Sequence, residues 1–266
     1  MAWLTIAAAI TAFSPPLSEA APAPLPDAKP ALWVVADADT KIYLFGTFHA
    51  LDGRSAWFND EVAGAFAGSD QLVLETIIPG TPPPVAEARP GSIGPVVRVA
   101  GSASFLSSTK MVMSAGRASG MSTAHGADVI LNEAAQASGK PVEGLETFEF
   151  QLSMFSQLPA APKPANDAQK TTTMKALSAV LTDLQAAWNR GDAEGFAPML
   201  EQMRTKSPAM YRMMFADRNA RWAEWIARRL ERPGTVFVAV GAGHLAGQDS
   251  LLVRLAERGI PSHRVN

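Results

Sequence analysis

The same four-residue pattern, Gly-x-x-His, occurs twice in the sequence, each time directly after a short apolar run. The first copy ends at His49 and follows Lys41–Phe45, and the second ends at His244 and follows Thr235–Val240. Imidazole can transfer protons or bind a metal ion near neutral pH, and glycine lets the backbone turn sharply or approach a ligand closely. A single histidine after a strand is more often a structural or solvated residue. Because both the spacing and the position repeat in a chain with only four histidines, His49 and His244 become candidates for one common site.

The elements that carry these histidines have the composition of buried strands. Both runs are short, rich in β-branched or aromatic residues, and bounded by turn residues. In an open parallel sheet the ligand crevice lies beyond the carboxyl ends of the strands, so the two imidazoles are predicted to converge there. A third apolar run, Asp70–Glu75, ends in a carboxylate and would deliver Glu75 to the same edge.

One predicted helix, Pro208–Leu230, places an arginine where a core residue is expected. Arg218 falls on the stripe formed by the aromatic residues of this helix rather than on its solvated face. A guanidinium keeps its charge, so a buried Arg218 needs a carboxylate or an anionic ligand, and Glu75 is the expected partner. The alternative is that Arg218 extends past the tryptophans to water. The same helix also carries charges that are expected to be solvated: Arg221, Arg228 and Arg229.

The alternation of apolar runs and amphipathic segments predicts one α/β domain, with a central mostly parallel sheet flanked by helices. An N-terminal β-hairpin is predicted from Trp33–Val35 and Lys41–Phe45. A short strand is predicted at 141–144 and an edge strand at 263–265, and residues 81–101 are Pro/Gly-rich and predict a loop or lid. Helices are predicted at 55–67, 127–137, 146–157, 169–189, 192–203, 208–230 and 248–258.

Composition limits the classes of protein to consider. With 266 residues and 47% hydrophobic content the chain can bury a sizeable core, and a net charge of −2 without a basic stripe argues against a nucleic-acid partner. The absence of cysteine excludes thiol nucleophiles, disulfides and cysteine-type zinc sites.

Residues 1–20 are typical of a cleavable signal peptide, although no Lys or Arg precedes Lys29, and their apolar run is too short for a membrane span. Residues 21–30 are predicted to be a Pro/Ala-rich spacer before a single domain at 31–266, in a periplasmic or secreted protein.

Several segments, taken together and in order, resemble the TraB/GumN family. They are Leu44–His49, Ser69–Glu75, Gly126–Asp128 with Gly139–Val142, Leu145–Thr147 with Gln151, Trp188 with Gly191–Asp192, Arg218–Asn219, and Val238–Gly247. The resemblance covers nearly the whole domain but is weak over residues 79–119. This family is related to the TIKI metalloproteases and, more remotely, to erythromycin esterase and the ChaN haem-binding proteins. It implies an α/β fold of the EreA/ChaN type.

The resemblance implies one site built from two Gly-x-x-His motifs, a glutamate and an arginine, which match His49, His244, Glu75 and Arg218. Asn219 is implied as a supporting residue. Glu146, after the strand at 141–144, is a further supporting candidate, and its alternative role is that of an ordinary acidic residue at a helix N-terminus.

Two imidazoles and a carboxylate are also a sufficient ligand set for a divalent ion that activates water. The metal-ligand candidates are therefore His49, Glu75 and His244. The TIKI resemblance implies manganese or cobalt as the ion. The alternative chemistry needs no metal and uses one histidine as a general base.

Three functions stay open from the sequence. The first is an exported metal-dependent hydrolase of peptide or amide bonds, and the second is a metal-independent ester hydrolase of the erythromycin-esterase type. The third is a non-enzymatic periplasmic protein that binds haem, a peptide or a signal molecule. The expected partner is a peptide or small-molecule substrate, and the sequence does not specify the oligomeric state.

Overall fold

A computed structural model describes residues 26–77, 102–157 and 164–266. The predicted signal peptide at 1–20 and the whole predicted loop at 81–101 lie outside these ranges. The strands are β1 (Leu32–Ala36), β2 (Thr40–Thr47), β3 (Gln71–Thr76), β4 (Val142–Glu146), β5 (Gly234–Gly241) and β6 (His263–Arg264).

These strands form one six-stranded sheet in the order β4-β3-β5-β2-β1-β6. Strands β4, β3, β5 and β2 are mutually parallel, whereas β1 pairs antiparallel with β2 and β6 antiparallel with β1. The last residues of β2 and β5, Thr47 and Gly241, are direct partners in the register. The structure confirms the predicted α/β fold with a mostly parallel sheet and an N-terminal strand pair. It also brings the carboxyl ends of four strands to one edge.

Helices cover both faces of this sheet. They are α1 (Asp60–Ala67), α2 (Ser102–Ala118), α3 (Ala127–Ala137), α4 (Phe148–Ser156), α5 (Asp167–Asn189), α6 (Ala197–Lys206), α7 (Pro208–Tyr211), α8 (Asp217–Leu230) and α9 (Leu251–Ala256). Short 3₁₀ turns lie at Thr123–His125, Ala193–Phe196 and Ala242–Leu245, and a π-helical turn at Arg212–Ala216 joins α7 to α8. Within the described residues no helix is both long and apolar enough to cross a membrane.

The two faces of the sheet bury alternate residues of each strand. Phe45, Leu72 and Phe237 pack with residues of α1, α3 and α5, while Leu44, Val73 and Val238 pack with residues of α8 and α9. Burial on both faces explains why the strands appear in the sequence as continuous apolar runs rather than as alternating ones.

The first helix begins later than predicted, at Asp60 rather than at residue 55. Ala56 is instead held in an extended segment, where its N–H donates to Pro26 O (3.0 Å) and its carbonyl accepts from Ala28 N (3.2 Å). Asn59 then begins the helix by accepting the Val62 N–H. Within the predicted spacer, Ala28 is only 1% exposed and packs in the core cluster that contains Leu32 and Phe45.

Two further boundaries differ from the prediction. Glu146 is the last residue of β4 rather than the first residue of a helix, and Thr147 caps α4 by accepting the Phe150 N–H. Helix α2 was not predicted at all. The π turn at Arg212–Ala216 interrupts the helix that was predicted to run unbroken from Pro208 to Leu230.

Candidate active site

The carboxyl edge of the sheet holds the predicted polar residues together. His49 lies two residues beyond β2, Glu75 lies near the end of β3, and His244 lies in the 3₁₀ turn that follows β5. Arg218, in the first turn of α8, points toward them. These four side chains line one cavity of about 450 Å³.

Arg218 is the centre of a buried hydrogen-bond network. Its Nη2 donates to Glu75 Oε2 (2.6 Å) and Glu146 Oε2 (2.8 Å), and its Nε donates to both Glu146 oxygens (3.0 Å each). Its Nη1 contacts Met214 O (3.2 Å) and His244 Nε2 (3.1 Å). The Arg218 side chain is 3% exposed, and those of Glu146 and Glu75 are 5% and 14% exposed. Since all five guanidinium N–H groups have acceptors, Arg218 is fully satisfied without reaching water.

The tautomer of His244 follows from its partners. Asn219 Nδ2 donates to Asp249 O (2.7 Å), so Asn219 Oδ1 accepts, and His244 Nδ1 at 2.6 Å must carry the proton. His244 Nε2 is then unprotonated and accepts from Arg218. Burial and the Arg218 charge lower the pKa of His244 to about 3, despite the opposing charge of Glu75. His244 is therefore a neutral imidazole whose two nitrogens are both engaged.

His49 has a different environment. Its side chain is 64% accessible, although the walls of the cavity surround it, and its Nδ1 lies 3.3 Å from Asp128 Oδ1. This is an ion-pair distance rather than a well-aligned hydrogen bond. Desolvation lowers the pKa of His49, but the contact with Asp128 and the charge of Glu75 outweigh it and raise the pKa to about 9. Its Nε2 has no hydrogen-bond partner among the described residues and faces the cavity.

Glu75 joins the two histidines. Burial favours the neutral acid, but His244 in its protonated form, the charges of Arg218 and His49, and the Gly241 N–H lower the pKa of Glu75 to about 2. Its Oε1 accepts the Gly241 N–H (2.6 Å) and lies 3.7 Å from His244 Nε2. Glu75 is therefore an anion that is fixed at the strand end.

Two glycines shape the site, because a Cβ would be crowded at Gly241 and would clash at Gly126. A Cβ on Gly241 would lie 3.1 Å from Glu75 Oε1 and 3.6 Å from His49 Nε2. A Cβ on Gly126, just before α3, would lie 2.4 Å from the carbonyl oxygen of His49. The loop that carries His49 therefore rests directly on the start of α3, and space for a reacting group is left beside Gly241.

The structure assigns contacts that the sequence only partly indicates. Glu146 binds Arg218 directly and is not a residue of a helix N-terminus, and Asn219 orients His244. Asp128 is the residue that the sequence reasoning missed, since an acid in the first turn of a helix is the ordinary dipole-stabilising pattern.

Arg229, expected to be solvated, is 9% exposed, because its guanidinium donates to the Arg232 carbonyl within the fold.

Two of the three predicted metal ligands, Glu75 and His244, are already bound by Arg218 in this arrangement. Arg218 donates to Glu75 and to His244 Nε2, so a cation at those atoms would compete with a guanidinium that is already bound there. Across the described ranges no three histidine, aspartate or glutamate side chains are arranged as a metal site. The residues thus fit a resident divalent ion only if Arg218 moves away from them.

The fold and the site define a class of protein: an α/β domain with a histidine, carboxylate and arginine site at the carboxyl edge of a mostly parallel sheet. The chain belongs to the TraB/PrgY/gumN family, whose model matches residues 31–87 and 102–264. It is similar to the uncharacterized protein YbaP of Escherichia coli (strain K12) and of Shigella flexneri. Each is 30% identical over 132 residues, which are 50% of this chain and 48% of the relative. The chain therefore spans about half the length of the curated relatives it matches. No solved structure matches it significantly.

Proposed function

We propose that this protein is a hydrolase that cleaves an amide, peptide or ester bond beside His49. The observation that carries the proposal is the contrast between the two histidines. His244 is buried with both nitrogens engaged, whereas His49 is held at Nδ1 by Asp128 and presents a free Nε2 to a cavity. An imidazole that is oriented by a carboxylate and open on its other nitrogen is the usual arrangement for general acid–base catalysis.

In the proposed reaction, a water oxygen bonds to the carbonyl carbon of the substrate and the bond to the leaving nitrogen or oxygen breaks. His49 Nε2 takes a proton from the attacking water and gives a proton to the leaving atom. Glu75 Oε1, next to the open space at Gly241, is placed to orient the water. Arg218 has no free donor, so its part is to fix Glu75 and His244.

The metal-dependent hydrolase of peptide or amide bonds is the second candidate. It is favoured by the position of Glu75 Oε1 and His49 Nε2, both within 4 Å of a Cβ position on Gly241, and by the resemblance to the TIKI metalloproteases, which implies manganese or cobalt. It requires Arg218 to withdraw from Glu75 and His244, and no step of the reaction above passes through an ion.

We also propose that the hydrolase acts outside the cytoplasm. Support comes from the apolar run and small-residue site within residues 1–20.

The test is hydrolysis of a quenched fluorescent peptide library and a nitrophenyl ester panel by protein whose metal content has been measured. We expect turnover by the metal-free protein, and a loss of about 100-fold or more in kcat/KM for His49→Ala. His263→Ala, on the exposed edge strand β6, is the matched control and should keep full activity. Turnover that appears only with added manganese or cobalt selects the second candidate. Tight binding of a substrate without turnover under either condition would reject the hydrolase and select a binding protein.

A further inference from the structure

The cavity beside the proposed catalytic residues is mostly apolar. Its walls include four of the eleven methionines of the chain, together with phenylalanines and leucines from α4, α5, the 3₁₀ turn at Ala193–Phe196 and the π turn. The methionines are Met113, Met121, Met199 and Met214. At about 450 Å³ the cavity lies within the range of about 300–1,000 Å³ that is typical of sites for drug-sized ligands. Methionine side chains adapt to flexible apolar ligands, which favours an extended chain over a rigid ring system.

The cavity also contains a cation, Arg117, that has no charged partner within the described part of the chain. Of its ionisable side chains, Arg218 and Glu75 bind each other, His244 is neutral, and His49 lies against Asp128. Arg117, near the end of α2, forms no ion pair with any of the described residues and is exposed. An unpaired guanidinium beside an apolar wall is suited to a carboxylate or another anion.

Arg117 and His49 line the same cavity and lie on segments that are joined by backbone hydrogen bonds. Met113, Gly116 and Arg117 are spaced i, i+3 and i+4, so they share the face of α2 that lines the cavity. The segment after α2 then pairs with the loop that carries His49, through Leu51 N to Ser122 O (3.2 Å) and Ser122 N to Leu51 O (2.8 Å). The anion site, the apolar wall and His49 therefore belong to one continuous surface.

We propose that the substrate is an anionic amphiphile in which an amide or ester bond joins a flexible apolar chain to a small acidic group. The apolar chain occupies the methionine-lined part of the cavity, and Arg117 binds the acidic group. This inference rests on the proposed hydrolase and specifies its substrate class.

The test measures binding, by calorimetry, of three matched probes below their micelle concentrations. N-dodecanoylglycine has the chain and the charge, N-dodecanoylglycine amide has the chain alone, and N-acetylglycine has the charge alone. The protein carries His49→Ala so that turnover does not disturb the measurement. We expect N-dodecanoylglycine to bind about three to ten times more tightly than its neutral amide at low ionic strength, and N-acetylglycine to bind weakest.

Two pairs of variants assign the contacts. Arg117→Gln should abolish the preference for the anionic probe and leave the affinity for the neutral amide within about twofold of its original value. The control is Arg258→Gln, which changes an exposed arginine just after the end of α9. This control should change neither the preference nor the affinity for the neutral amide. Gly116→Leu should weaken both long-chain probes because its side chain enters the cavity. Gly116→Ala should not, since a Cβ there meets its nearest atom at an ordinary 3.7 Å.

Equal affinity for the charged and neutral probes would overturn the proposal, as would a preference that survives Arg117→Gln. Because the readout is binding, these results are independent of the hydrolase test. Hydrolysis that depends on His49 without the expected binding preference would refute only the substrate class.

Discussion

Removing the Arg218 guanidinium should destabilise the fold more than any other single change of charge in the site. Arg218→Met keeps most of the side-chain volume but leaves the buried Glu75 without its cation, and leaves Glu146 with only the half-exposed Arg221, whose Nη2 lies 3.4 Å from Glu146 Oε1. Breaking a buried ion pair by removing one partner costs about 3–5 kcal/mol, and here two carboxylates lose the same partner. We therefore expect a loss in unfolding free energy of about 5 kcal/mol.

The carboxylates should differ from the arginine in a predictable order. Glu75→Gln removes one charge-assisted hydrogen bond, worth about 1.5–3 kcal/mol, but leaves Arg218 bound at two nitrogens by Glu146 and reduces the excess of negative charge. Glu146→Gln removes the larger share of the Arg218 contacts and should cost more than Glu75→Gln. Adding both glutamine changes to Arg218→Met should recover stability, because no buried charge is then left without a partner.

Urea unfolding followed by circular dichroism at neutral pH, with chelator present, measures these differences. Arg228→Met on the same helix is the matched control, since the Arg228 and Glu224 side chains are 57% and 55% exposed and their pair should contribute less than about 1 kcal/mol. If Arg218→Met were no more destabilising than Arg228→Met, or if the triple variant were less stable than Arg218→Met alone, the account of the buried network would be wrong.

Three further predictions concern the histidine, a glycine and the N-terminus. A carbon-13 NMR titration of metal-free protein should show His49 protonated and His244 neutral at pH 7, because their pKa values are about 9 and about 3. Hydrolysis that uses His49 as a base should then accelerate as pH rises toward 9. A His244 that keeps its proton to a higher pH than His49 would contradict this assignment. Gly126→Ala should lower the unfolding free energy by about 1–3 kcal/mol and also lower kcat, because its Cβ would overlap the His49 carbonyl oxygen. Gly64→Ala is the control and should do neither, since outside its own helix backbone no described atom lies within 4 Å of that Cβ. Equal melting temperatures of the two variants would exclude the overlap. N-terminal sequencing of periplasmic protein from the native host should begin near Ala21, and a cytoplasmic protein that retains residues 1–20 would refute export.

The convergence of the site could be predicted because it depends on strand direction alone. His49, Glu75 and His244 each follow or end an apolar run, and parallel strands present such positions at one edge. The burial of Arg218 could likewise be predicted from its place on an aromatic stripe. Glu146 was a supporting candidate from its place after a predicted strand, but its contact with Arg218 was not predicted, since Glu146 also matched the ordinary pattern of an acid that begins a helix.

Helix α2 was harder to predict for a physical reason. Met113, Gly116 and Arg117 face a cavity rather than a packed core, so the apolar stripe that identifies an amphipathic helix is interrupted by a glycine and a charge. Asp128 was missed because a carboxylate in the first helical turn has a local explanation. Its contact with His49 depends on the loop that rests on Gly126, which only the assembled fold provides.

The π turn at Arg212–Ala216 makes the site depend on the length of a helix as well as on its residues. A π turn holds an extra residue compared with α-helix, so deleting one residue between 212 and 216 would restore regular helix and rotate the preceding residues by about 100° relative to Arg218. Met214, whose carbonyl accepts from Arg218, and Phe215, which packs 4.9 Å from the His244 ring, would then leave their partners. Point substitutions at the solvent-facing positions of this turn leave the rotation of these residues about the helix axis unchanged. A single-codon deletion would instead misalign the wall of the cavity, even with every predicted catalytic residue still present.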